Sequence, residues 1–181
     1  MTLNKNKRHI LAGEIYHVLN RGVDKRSIFL DDNDRFRFIH DLFEFNDANQ
    51  INNVFYRFNK PNVIARHYIE PKPRRLIVEI LAFVMMPNHY HLLLRPLINN
   101  GITMFMKRLG MGYARYFNEK YKRSGALFQG RYKAVHVIKD SHFLHLPYYI
   151  HFNPLDLTAS EWRKRKLGNP DAAIKFLDNY R

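Results

Sequence analysis

Apolar and polar positions alternate from Glu14 to Arg21, with Ile15, His17 and Leu19 on one side and Tyr16, Val18 and Asn20 on the other, and the run stops at Gly22. That period of two predicts a first strand. Asp31, Asp32 and Asp34 then supply a cap and an acidic first turn for a helix in which Phe36, Ile39 and Phe43 recur at helical spacing, running to about Asp47. The stretch 50–75 is rich in Asn, Pro and basic residues and reads as an insertion, with Pro61, Pro71 and Pro73 as breakers. Leu76 to Met86 is apolar except for Glu79, which predicts a strand buried on both faces in the centre of a sheet.

Pro87-Asn88 turns the chain, and His89 to Arg95 follows as the second strand of an antiparallel hairpin. Met104 to about Lys120 predicts an amphipathic helix, with Phe105, Leu109, Tyr113 and Tyr116 on one side and Lys107, Arg108 and Arg115 toward solvent. Beyond Gly125 and Gly130, Tyr132 to Ile138 reads as a strand, Ser141 as a helix cap, and Asn153-Pro154 as the end of that last helix. The order β-α-β-β-α-β-α with antiparallel neighbours predicts an α+β fold, a ferredoxin-like antiparallel sheet flanked by helices with the His89-Tyr90-His91 stretch on a central strand. A length of 181 residues fits a single domain over 1–181, with a basic tail from about 158.

Charge narrows the range of partners. Thirty Lys and Arg against 16 Asp and Glu give a net charge of +14, which favours a polyanion such as nucleic acid. No apolar run approaches the ~18–20 residues of a spanning helix, and residues 1–10 lack the apolar stretch of a signal peptide, so a cytoplasmic protein with no membrane partner is expected. There is no cysteine, which removes thiolate metal sites and cysteine nucleophiles. Eleven tyrosines leave a phenol as a possible nucleophile.

Residues two apart on a strand face the same way, so His89 and His91 can offer two imidazoles to one ion while Tyr90 faces the other side. Imidazole ligands suit zinc, manganese, iron or nickel better than magnesium, and the residues by themselves leave the metal's identity open. A third ligand is sought in 149–153, where Tyr149 and Asn153 stand four apart on one helical face. A tyrosine hydroxyl has an unperturbed pKa near ~10 and needs a metal-polarised phosphate or a local base to attack at useful rates.

Four stretches in order carry a resemblance: Tyr16-His17-Val18-Leu19-Asn20-Arg21-Gly22, Met86 to Leu94 around His89-Tyr90-His91, Gly125 to Lys133, and Tyr149-Ile150-His151-Phe152-Asn153-Pro154. Over 14–157 the chain resembles the HUH single-tyrosine transposases, especially the REP-associated tyrosine transposases. The resemblance implies a metal-dependent endonuclease and strand transferase that nicks and rejoins single-stranded or hairpin DNA through a 5′-phosphotyrosine, leaving a free 3′ hydroxyl. It implies Tyr149 as nucleophile, His89, His91 and Asn153 as metal ligands, magnesium or manganese as the ion, and a monomer or homodimer. Tyr148, Tyr113 and Tyr116 lack the four-residue relation to Asn153.

Arg21, Lys107, Arg108, Arg115, Arg131 and Lys133 are the expected DNA-binding cations, with Tyr116, Phe117, Tyr121 and Phe128 interleaved for base stacking. The chain departs from the family pattern in the length of 50–75 and in Pro147, which predicts a kinked or late-starting catalytic helix. In addition, Asn153 precedes Pro154, which biases it away from helical torsions. Two rival readings are weaker. Histidine-triad nucleotide hydrolases need a third histidine where Leu93 stands, and a non-catalytic single-stranded nucleic-acid-binding protein of similar fold makes the histidine pair incidental.

Overall fold

The computed structural model describes residues 10–49 and 73–180, so the expected insertion at 50–75 lies outside the described residues except for its last three. Four strands, β1 (Tyr16–Arg21), β2 (Val78–Met86), β3 (His89–Pro96) and β4 (Lys133–His136), alternate with α1 (Asp32–Glu44), α2 (Gly101–Lys120), α3 (Asp140–Phe152) and α4 (Pro170–Asn179). Among the described residues the strands form one antiparallel sheet in the order β2-β3-β1-β4, the ferredoxin-like arrangement, with β3 inside it.

Register assigns the two faces. Directly opposed residues project to the same side, and His89 opposes Arg21, His91 opposes Leu19 and Val84, and Leu93 opposes His17. These residues share the face that α3 covers, where Ala82, Val84, Met86, Leu93, Leu146 and Ile150 form a small core. The alternate residues Tyr16, Val18, Tyr90, Leu92 and Leu94 enter the larger core beneath α1 and α2, against Phe38, Phe105, Leu109 and Tyr113.

Two apolar patterns resolve differently from expectation. β2 is an edge strand, with Leu81 39% and Phe83 38% exposed, and Phe83 lines a groove rather than a second core. Phe83 shares that groove with Phe36 and Ile39 of α1 and with Leu177 and Tyr180 near the C-terminus. In α1 the buried side is Asp34, Phe38, Asp41 and Leu42, while Phe36 and Phe43 are 66% and 61% exposed. Paired carboxylates make this possible. Asp34 accepts from Lys120 Nζ at 2.7 Å and the Tyr121 hydroxyl at 2.8 Å, and Asp41 accepts from Arg37 Nε at 2.9 Å.

The ends of two elements also shift. α3 starts at Asp140 after Lys139 with no side-chain cap, so Ser141 lies inside the helix, and β4 is shorter than the 132–138 expected for it. The Asp31 cap is as read, its Oδ1 accepting from Asp34 N at 3.0 Å.

The turn that introduces β3 is braced by the segment after β1. Gly22 N donates to the Asn88 carbonyl at 2.9 Å, Ile28 N donates to the Pro87 carbonyl at 2.7 Å, and Asn88 Nδ2 donates to the Lys25 carbonyl at 3.2 Å. A Cβ on Gly22 would stand 2.3 Å from the Arg26 carbonyl oxygen, so the backbone must yield to any side chain there. Gly22→Ala is expected to lower stability by about 1–3 kcal/mol, the usual cost of overpacking. Chemical denaturation checks this, and an unchanged midpoint contradicts the bracing role.

Candidate functional site

Pleating of β3 sends Tyr90 into the large core, fully buried, and turns His89 and His91 toward α3. Their ring centroids are 5.0 Å apart and the rings stand 83° to one another. A third imidazole joins them from β1. His17, 9% exposed, stacks on His91 at 5.0 Å between centroids, with its Nε2 2.8 Å from His91 Nδ1.

Burial, and then the neighbouring histidines, push His91 down to about 3. Burial and His142 push His17 to about 4, and burial with Arg21 lowers His89. All three rings are therefore neutral near pH 7, the form that carries a free lone pair.

Asn88 settles the tautomer of His89. Its Nδ2 is committed to the Lys25 carbonyl, so its Oδ1, 2.6 Å from His89 Nδ1, must accept from that nitrogen. The His89 proton therefore sits on Nδ1, and Nε2 keeps its lone pair.

α3 delivers the opposite wall. The helix runs through Pro147 from Asp140 to Phe152 rather than starting late, and Asn153 holds helical torsions (φ −52°, ψ −37°) in spite of Pro154. The four-residue relation between Tyr149 and Asn153 therefore survives. Tyr149 stands edge-on to His91, with ring centroids 5.6 Å apart, and to His17 at 6.2 Å. Asn153 is completely buried and its amide reaches the His89 ring, yet neither its oxygen nor its nitrogen makes a well-directed hydrogen bond.

The other tyrosines are placed differently. Tyr148 is 64% exposed, whereas Tyr113 is buried in the core beyond the sheet with its hydroxyl donating to the Ile28 carbonyl. Tyr116 donates to Asp34 beneath α2.

Among the described residues no group of three or more His, Cys, Asp or Glu side chains is disposed to hold a metal. What the structure does bring together is the pair of neutral imidazoles of His89 and His91, with the Asn153 amide at the His89 ring. An orphaned, fully buried amide beside two imidazoles fits an ion-binding position, since a buried polar group without a partner is costly unless something else satisfies it.

The expected DNA-binding cations divide between two sides. Arg21 opposes His89 and Lys133 opposes Leu19, so both belong to the histidine face. Lys107, Arg108 and Arg115 lie on α2, which covers the other face, and Arg108 donates to the Asp47 carbonyl. Arg131 is exposed just before β4.

Residues that sequence reasoning left out of the site are His17, Asp156, Trp162 and Arg163. His17 was visible as one position in an alternating strand and within the first family-like stretch, with no role assigned, and its contact with His91 depends on register. Arg163 and Trp162 come from a short 3-10 turn, Ser160–Lys164, that has no periodic signal. Arg163 Nη1 donates to the Tyr149 hydroxyl at 3.3 Å, and Trp162 packs on the same ring at 6.2 Å.

The family described as "Transposase IS200 like" matches residues 12–153. Among solved structures, a REP-associated tyrosine transposase bound to a REP hairpin is similar at 15% identity and a TM-score of 0.51, over 86% of this chain and 75% of that one. A candidate transposase from Deinococcus radiodurans R1 is similar at 16% identity and a TM-score of 0.45, over 81% of this chain and 95% of that one. Among curated proteins none matches.

Proposed function

We propose that this chain, which belongs to the IS200-like transposase family, nicks and rejoins single-stranded or hairpin DNA through a bond between Tyr149 and a 5′ phosphate. Membership of that family makes it a transposase-type, DNA-cleaving protein. The observation that carries the finer reading is the edge-on contact of Tyr149 with His91, on the same side of the sheet as His89 and the unpartnered Asn153 amide.

In this reading His89, His91 and Asn153 hold a divalent ion, magnesium or manganese. Such an ion, when bound there, would supply Lewis-acid withdrawal of charge from the scissile phosphate. The chain's own residues do the rest. Tyr149 attacks phosphorus, and the phosphotyrosine keeps the energy needed for rejoining. Asn88 fixes the His89 tautomer, and His17 can do the same for His91 by accepting from its Nδ1. Arg21 and Lys133 neutralise phosphates near the reacting strand, with Arg131 close to them in sequence, while Lys107, Arg108 and Arg115 hold DNA that continues around the domain.

The hairpin bound by the structural neighbour supports hairpin DNA as the substrate class. The whole chain, 1–181, acts as one domain in the cytoplasm, as monomer or homodimer; no described helix is long and apolar enough to cross a membrane.

His17→Ala is expected to weaken manganese binding about 10–100-fold, the usual cost of losing a residue that orients a ligand. Calorimetric titration of the purified protein checks it, and unchanged affinity removes His17 from the site. The proposal as a whole is tested with labelled hairpin DNA carrying a single-stranded flank, plus manganese or magnesium, on a denaturing gel. A denaturation-resistant band that a chelator abolishes is expected. Binding without such a band at any metal concentration favours the non-catalytic reading.

A further inference from the structure

Arg163 lies ten residues beyond the end of the family match at Asn153, in a segment that the match does not cover. Its guanidinium is held from one side. Nε donates to Asp156 Oδ1 at 2.8 Å and Nη2 donates to Asp156 Oδ2, a two-point grip that fixes the plane. Trp162 Nε1 donates to the same carboxylate at 2.7 Å, which in turn fixes Asp156. The remaining terminal nitrogen, Nη1, points at Tyr149 Oη at 3.3 Å, and the guanidinium carbon stands 5.1 Å from the Tyr149 ring centre.

A guanidinium has five N–H donors, and the contacts above use three, so two stay available among the described residues. The Arg163 side chain is 42% exposed, which leaves it open to a bound strand. A planar, always charged group at the attacking oxygen, clamped by a buttressed carboxylate, is arranged for charge that develops at that oxygen and on the phosphate bonded to it.

We infer that Arg163 is a catalytic residue, holding the Tyr149 hydroxyl oxygen in line and carrying the charge of the scissile phosphate as the phosphotyrosine forms. In that step the bond from Tyr149 Oη to phosphorus forms and the bond from phosphorus to the 3′ oxygen breaks. The phenolic proton passes to water, and the departing 3′ oxygen takes a proton from water. Donation from Nη1 aligns a lone pair of Oη, and the two spare N–H groups meet non-bridging oxygens as negative charge accumulates there. Asp156 and Trp162 are positioning residues that act through Arg163. This inference rests on the functional reading of Tyr149 given above.

Single-turnover adduct formation and equilibrium binding of the same hairpin DNA, measured on the full-length chain, separate the possibilities. Arg163→Ala is expected to form adduct about 10²–10³-fold more slowly, the size of loss seen when one charge-stabilising donor is removed, with hairpin affinity within about threefold of wild type. Added methylguanidine should restore part of the rate. Arg163→Lys should fall between the two, because the charge stays and the fork is lost. On DNA with a neutral methylphosphonate at the scissile position, the gap between wild type and Arg163→Ala should shrink.

A purely structural Arg163 gives a slow variant that methylguanidine does not rescue, with the same gap on both substrates, and that result overturns the inference. So does an Arg163→Ala protein as fast as wild type. If wild type itself forms no adduct, the reading of Tyr149 falls first and the inference goes with it, so the two failures are distinguishable.

Discussion

Tyr149→Phe protein binds hairpin DNA as well as wild type does and makes no covalent adduct, a loss of at least about 10³-fold, comparable to removing a nucleophile elsewhere. The substitution keeps the ring, and with it the edge contacts to His91 and His17 and the packing on Trp162. It removes only the hydroxyl oxygen and the bond that oxygen accepts from Arg163. Stability should therefore move by no more than about 1 kcal/mol, the net value of one partly exposed hydrogen bond. Tyr148→Phe, at a side chain 64% exposed, should leave the adduct intact. Adduct that survives in Tyr149→Phe and vanishes in Tyr148→Phe assigns the chemistry to the wrong tyrosine here.

His91→Ala produces the second large effect, on two observables together. It removes one of two imidazoles from the ion site, and manganese affinity should drop about 100-fold or more, with adduct formation falling in step. It also leaves His17 Nε2 without its partner at a position 9% exposed and opens space beneath α3. That second consequence costs stability, about 1–3 kcal/mol for an unsatisfied buried group. His89→Ala should lose metal affinity to a similar degree with a smaller stability change, because its ring is half-buried and its partner Asn88 keeps a second bond. A His91→Ala protein with wild-type manganese affinity contradicts the donor set.

The element order as far as α3, the ferredoxin-like sheet and the inner position of β3 were legible in the chain, because alternation over 14–21, the apolar run after the Pro87-Asn88 turn and helical spacing over 104–120 are strong, whereas α4 (Pro170–Asn179) lies in the stretch read only as a basic tail. Two burial assignments were not. Phe36, Ile39 and Phe43 and the set Asp34, Phe38, Asp41 and Leu42 are both helically spaced, and hydrophobicity favours the first. The fold chooses the second, since Lys120 and Tyr121 satisfy Asp34 from positions that local sequence cannot reveal, while Arg37 pairs with Asp41 four residues on along the same helix. The apolar run of β2 likewise fits a central strand and an edge strand with a covered flank equally well.

At the site, the pairing of His89 with His91 and of Tyr149 with Asn153 depends on spacing within one element, and spacing is what a sequence displays. The doubts raised by Pro147 and Pro154 concerned backbone torsions, which packing of Leu146 and Ile150 against the sheet overrides. His17 and Arg163 reach the site through strand register and through a short 3-10 turn. Neither has a periodic signature, so only the folded chain displays them.

The central claim is that one ion held by the paired imidazoles lies within reach of the phosphate that Tyr149 attacks. Its most direct test is proteolysis and mass spectrometry of the protein after reaction with hairpin DNA in manganese. The account predicts a single DNA-linked peptide, joined through a 5′ phosphate to Tyr149, absent when a chelator is added and absent from a protein carrying both His89→Ala and His91→Ala. A link to any other tyrosine, or undiminished linkage to Tyr149 without metal and without those histidines, would contradict it.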